Sequence, residues 1–250
     1  MTDHLFNYTL QLADNSLIMG HRLSEWTGHG PSLEQDIAIS NIALDHIGQA
    51  RNFYQYAAEL KGKGSTEDSL AYLRQDREFK NLLIAELPNG DWAKTITKLF
   101  FFSSFQFLLY KQLNDCGNKQ LSAIAAKSLK EVTYHRRWSS EWMIRLGDGT
   151  VESHQRVQNA VDELYSFTGE MFKPSEYELR FIDNSLGVEV NTLRIPWDEF
   201  IMEIMKEATI ILPVNSWMQE GGKSGVHTEH LGFILAEMQH LQRTYPGCEW

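Results

Sequence analysis

A glutamate and a histidine three residues apart on a helix can bring a carboxylate and an imidazole to one metal ion, because positions i and i+3 share a helix face. Glu237 and His240 form such a pair in this sequence. The richest chemistry of that kind is the di-iron carboxylate template. In it, two helices of a bundle each supply a Glu, and two others each supply Glu-x-x-His. Tested helix by helix, the chain does not fill this template. Asp14 stands midway along the first apolar-periodic segment, one methylene short of a Glu. His46 is preceded at the required spacing by Ala43, and the adjacent Asp45 projects from another face. The Phe-rich segment between Asp91 and Asp115 contains neither Asp nor Glu. Glu131 has Tyr134 where a histidine is needed, and His135 has Val132 three residues before it. The spacing therefore predicts no metal ligands on this chain. Glu237 and His240 read as the polar flank of a helix whose apolar positions are Leu231, Ile234, Leu235 and Met238. The alternative is a metal-binding protein using another register, with Asp14, His46, Glu131 and His135 as ligands.

Other chemical motifs are weaker. Gly222-Lys223-Ser224 echoes the end of a phosphate loop, but Trp217 stands where the first glycine belongs and no strand precedes it. Its glycines are expected to serve backbone geometry. His227 and His230 have metal-compatible spacing without a third ligand, which favours capping or packing. No G-x-S-x-G turn marks a nucleophile, so no catalytic residue is predicted. Asn41, Asp45, Gln49 and Asn52 form a polar stripe at helical spacing. If buried, it needs partners, with Arg22 or Arg51 as candidates, because an unsatisfied buried polar group costs about 1–3 kcal/mol.

The elements that must position these residues are helices. Apolar residues recur at helical spacing over 5–26, ending at Gly28, Gly30 and Pro31. Ser32 is a candidate N-cap for a helix reaching about residue 60, with Glu34 and Asp36 in its first turn. Further helices are predicted over 66–87, 91–114, 118–146 and 151–172. Between 173 and 196 the period fades, and 186–190 reads as a short extended piece or a loop. Two more helices are predicted over 197–212 and 228–243. The expected fold is all-α, one domain over 1–250 with a four-helix bundle at its heart, since long helices with short loops pack as antiparallel neighbours. Phe100, Phe101, Phe102, Phe105, Phe107, Leu108, Leu109 and Tyr110 cover most of one helix's circumference. A helix apolar all round is buried in the core or against another chain.

Composition sets the function classes. A formal charge of −10 and the absence of a basic run argue against nucleic acid as a partner. Cys116 and Cys248 show neither disulfide nor zinc-site spacing, which suits a reducing cytoplasm. No signal-like N-terminus and no long apolar run point to secretion or a membrane.

The blocks Leu23-Ser-Glu-Trp26, Asn41-Ile-Ala-Leu-Asp45, Gly48-Gln-Ala-Arg51, Pro88-Asn-Gly90, Arg145-Leu-Gly-Asp-Gly149 and Gly221-Gly-Lys-Ser-Gly-Val-His-Thr-Glu-His-Leu-Gly232 occur in one order along nearly the whole chain. Together they resemble the C subunits of bacterial phenylacetyl-CoA epoxidases. The resemblance implies a ferritin-like four-helix bundle with additional helices that has lost its iron site. It also implies a stable complex with a homologous catalytic A subunit that keeps two irons. In that family the system uses NADPH, dioxygen and a flavin and iron–sulfur reductase to epoxidise the ring of phenylacetyl-CoA during aerobic phenylacetate breakdown. On this basis the chain is expected to be a non-catalytic subunit, no enzyme on its own, binding no cofactor itself. The resemblance further implies substrate contacts near the interface with the catalytic partner, at Glu78, Phe79, Lys80 and Asn81, and at Leu179, Arg180 and Phe181. Lys80 and Arg180 would attract coenzyme A phosphates there, and Phe79 and Phe181 would offer apolar faces.

Overall fold

The computed structural model describes residues 2–182, 187–214 and 217–248, and among them every regular element is a helix. The chain forms two compact units, one comprising Met1–Pro88 with Gly221–Trp250, the other Asn89–Glu220. Among the described residues, no helix is long and apolar enough to cross a membrane.

The first unit is built on two long helices, α1 (Thr2–Ser24) and α2 (Leu33–Lys61). They run antiparallel: Asp14 meets Tyr54, while Gly20 lies against Ala43 and His46. The approach at Gly20 is close, since an added Cβ would stand 2.9 Å from Ile47 Cδ1. Ser32 is the N-cap of α2 with extended backbone, but its hydroxyl caps nothing. Asp36 instead accepts the Gly30 amide at 2.9 Å, which folds the incoming loop onto the first turn.

The single helix expected over 66–87 is three short pieces. They are α3 (Glu67–Tyr72), a 3-10 turn (Asp76–Glu78) and α4 (Leu83–Glu86). Side chains of α1 explain the break. The Lys80 amide donates to Asp14 and the Leu82 amide to Asn15, so these backbone groups are taken out of any helical ladder. A later helix, α10 (Glu229–Thr244), completes this unit with Thr228 as its N-cap.

In the second unit, α5 (Trp92–Leu113) and α6 (Lys119–Gly147) form another long antiparallel pair, with Thr97 against Met143 and Ser103 against Ser139. Asp91 and Asn118 cap them through their side chains. The aromatic run of α5 is buried at Phe100, Phe101, Phe102, Phe105 and Tyr110, while Phe107 and Leu108 stay partly exposed. Each fully buried large side chain contributes about 1.5–3 kcal/mol of transfer free energy.

The helix expected over 151–172 ends early as α7 (Val151–Leu164) and tightens into two 3-10 turns, Tyr165–Phe167 and Gly169–Phe172. Gly169 packs there so closely that an added Cβ would be 2.6 Å from Met218 Cβ. A short helix that the sequence pattern does not predict, α8 (Glu176–Ile182), follows Ser175, whose amide and hydroxyl exchange hydrogen bonds with Glu178. Of the 186–190 segment, Leu186 lies outside the described residues, and Val190 opens a 3-10 turn rather than a strand. The helix α9 (Arg194–Glu207) begins before Pro196, in the first turn where proline is tolerated, and ends well short of Pro213. Trp197 on α9 is fully buried and donates its indole N–H to the Phe101 carbonyl at 3.2 Å.

Candidate functional site

The region richest in buried ionisable groups lies in the first unit, where α1, α2, the 74–82 segment, α4 and the strap at 221–228 meet. Its first knot centres on Asp14, fully buried on α1. Asp14 Oδ1 accepts from the Tyr54 hydroxyl at 2.5 Å and from Arg74 Nη2. Asp14 Oδ2 accepts from Arg74 Nη1 at 3.0 Å and from the Lys80 amide at 2.8 Å. An ionised carboxylate offers about four lone-pair sites, and these donors use them all. Arg74 also donates to the carbonyls of Leu70 and Glu78, and its guanidinium lies 4.0 Å from the centre of the Phe79 ring. Burial opposes the Arg74 charge, but Asp14 and Tyr54 outweigh it and hold the guanidinium above its ordinary value. Burial, followed by the Asp14 charge, pushes the Tyr54 phenol well above its usual range.

A second knot centres on Glu86 of α4, also fully buried. Glu86 Oε1 accepts the Thr228 amide at 2.6 Å, and Oε2 accepts from Asn81 Nδ2 at 2.8 Å. His227 Nδ1 lies 2.8 Å from the same Oε2, while its Nε2 lies 2.9 Å from the Phe79 carbonyl oxygen. Burial lowers the affinity of His227 for its proton, yet the Glu86 hydrogen bond and charge, aided by the Phe79 carbonyl, raise it overall.

The glycines of the strap make this packing possible. A Cβ on Gly222 would sit 2.1 Å from the Asn81 carbonyl oxygen, and one on Gly225 would sit 2.3 Å from that of Arg77. Gly225 also has φ +81°, which L side chains rarely adopt. These glycines serve backbone geometry, as expected. The strap and the 3-10 turn border a surface cavity of about 360 Å³ lined by Asp76, Arg77, Ser224, Gly225, His227 and Thr228, among others.

The proposed substrate-contacting residues divide between the units. In the first, Glu78 is exposed and Lys80 half-buried, while Phe79 and Asn81 turn fully inward, one under the Arg74 guanidinium and the other onto Glu86. Burial lowers the Lys80 pKa and Arg74 adds to this, although Asp14 opposes it. In the second, α8 exposes Leu179 and Arg180 and buries Phe181.

Of the alternative ligand set, Asp14 and His46 belong to the first unit and Glu131 and His135 to the second. Asp14 is committed to Arg74, Tyr54 and Lys80, so it does not fit a metal. Among the described residues, no group of three His, Cys, Asp or Glu side chains could hold one. Glu237 and His240 are exposed on α10. The polar stripe of α2 is not a buried network: Asn41 is exposed, Asp45 and Asn52 are half-buried, and Gln49 is buried. It has this gradient because the α2 face that meets α1 is the one bearing Ala43, His46, Ala50 and Tyr54. Of the two candidate partners, Arg51 pairs with Glu67 and Arg22 with Glu25.

Sequence reasoning missed Tyr54, Arg74 and Glu86. Arg74 is 60 residues from Asp14 and Glu86 is 141 from His227, so no local spacing marks either pair.

The sequence profile of the phenylacetic acid catabolic protein family matches residues 1–250. The chain is 46% identical over 248 residues to the C subunit of 1,2-phenylacetyl-CoA epoxidase from Escherichia coli (strain K12), covering 99% of this chain and 100% of that protein. This match corrects the expectation that the chain is no enzyme, because the relative carries the name of the epoxidase itself. A count of metal ligands could not have decided the point. An enzyme assembled from several chains need not carry a full ligand set on each.

Proposed function

The chain belongs to the family of phenylacetic acid catabolic proteins, and from that premise we propose that it is one subunit of a multicomponent phenylacetyl-CoA epoxidase. In this reading it binds and stabilises a homologous, ferritin-like A subunit that carries two irons, and holds no metal itself. The other subunits and the reductase complete the assembly. The observation that carries the reading is the state of Asp14. The mid-helix carboxylate of α1 is neutralised by Arg74 and saturated by Tyr54 and the Lys80 amide. An internal ion pair stands where a bundle of this kind could have placed a metal ligand.

A ferritin-like fold is supported by the two long antiparallel pairs, α1 with α2 and α5 with α6, the number of long helices such a bundle uses. For phenylacetyl-CoA near the interface with the A subunit, each of the two segments is read by itself as a candidate contact. Glu78 is exposed and Lys80 half-buried in the first, Leu179 and Arg180 are exposed in the second, and each segment carries one cation of a kind that suits phosphate. Phe79, Asn81 and Phe181 are buried.

The test is to purify the chain alone and after co-expression with the candidate catalytic partner, with iron analysis and size-exclusion chromatography on each sample. Iron-free chain that co-elutes with an iron-bearing partner is the expected result. Near-stoichiometric iron in the lone chain, or separate elution of the two proteins, would overturn the proposal.

A further inference from the structure

His227 faces an acceptor at each ring nitrogen, a carboxylate oxygen at 2.8 Å and a backbone carbonyl oxygen at 2.9 Å. A neutral imidazole has one N–H and one lone pair. It can satisfy one of these acceptors, and must then point its lone pair at the other. Only with a second proton in the His227–Glu86 pair are both contacts hydrogen bonds. The neighbouring Glu86 carboxylate is fully buried, so loss of that proton also leaves a buried charge without its cation.

The contacts join three segments distant in sequence: the 79–81 segment, α4, and the strap leading into α10. Glu86 accepts from Asn81 and from the Thr228 amide, and His227 reaches Phe79. We propose that His227 and Glu86 form a proton-dependent latch, which holds the strap and the start of α10 against the 79–82 segment when His227 is charged and loosens them when it is not.

The groups facing the latch favour the charged form on balance. Glu86 of α4 is in direct contact, and Asp14 of α1 adds a favourable charge at longer range. Arg22 of α1 donates to the Glu86 carbonyl at 2.9 Å, and Arg74 pairs with Asp14. Asp76 and Arg77 of the 3-10 turn line the cavity that His227 also lines, with one charge of each sign. Lys80 follows the Phe79 carbonyl, and burial lowers its pKa from the ordinary lysine value. On the strap and α10 the ionisable groups nearest in sequence are Lys223, Glu229 and His230.

Because the folded-state pKa of His227 is raised above its ordinary 6.5, the stabilisation is complete below that value and is lost as pH rises through the higher, folded-state value. The latch operates in the isolated chain and does not rest on the proposed assembly.

The experiment is an NMR titration of the His227 ring in the purified chain from about pH 5.5 to 9, a range that brackets the ordinary histidine value, with amide exchange of residues 79–82 and 226–230 followed alongside. The expected result is a His227 pKa above 6.5, with protection of both segments falling several-fold, after correction for intrinsic exchange, as the ring deprotonates. In Glu86→Gln the His227 pKa is expected to fall by about one unit or more, since the charged partner is gone. Should that variant not fold, the wild-type titration decides alone. A wild-type His227 pKa at or below the ordinary 6.5, or protection that does not follow its titration, would overturn the latch.

Discussion

Arg74 is the side chain on which the interior of the first unit turns. It neutralises Asp14, holds the carbonyls of Leu70 and Glu78, and covers the Phe79 ring. Removing one member of a buried ion pair costs more than the pair contributes, because the survivor is left as an uncompensated buried charge. Arg74→Met is therefore expected to destabilise the isolated chain by about 3–5 kcal/mol in urea unfolding. Combining it with Asp14→Asn should recover part of that loss, since no full charge then remains buried. A double variant as unstable as the sum of the two singles would show that the pair acts through packing rather than charge.

The strap from Gly221 to Thr228 is the element whose geometry the sequence specifies most tightly. Gly222 and Gly225 lie against backbone oxygens, so no side-chain rotation can make room for a methyl group there. Gly222→Ala and Gly225→Ala are expected to lower stability by about 2–3 kcal/mol, as overpacking does, with the positive φ of Gly225 adding strain. Gly232 provides the contrast. It lies in α10, and a Cβ there meets nothing within 4 Å. Gly232→Ala is expected to raise stability by about 0.5–1 kcal/mol, because alanine gives up less backbone entropy in a helix. Thermal unfolding of the three variants checks the ordering.

For the whole molecule, the proposed assembly has a thermodynamic signature. A partner that binds only the folded chain stabilises it by mass action, by about 2.7 kcal/mol when the free partner is a hundredfold above Kd. The melting temperature of this chain should therefore rise with the concentration of the proposed partner subunit, and an unchanged melting temperature across a titration that gives co-elution would contradict this. The sequence by itself determined the helical class, the position of most helix ends, the failure of the Glu-x-x-His template and the family. Each of these is written in local spacing, caps, breakers or contiguous blocks of residues. It did not reveal that 66–87 breaks into three pieces, because the cause lies in Asp14 and Asn15 on another helix. It read the α2 stripe as one feature, whereas its burial depends on which face α1 covers. Only the tertiary structure decided that Asp14 answers Arg74 and that Glu86 answers His227. Those pairs are joined by packing between segments far apart in the chain, and a buried charge finds its partner through space rather than along the sequence.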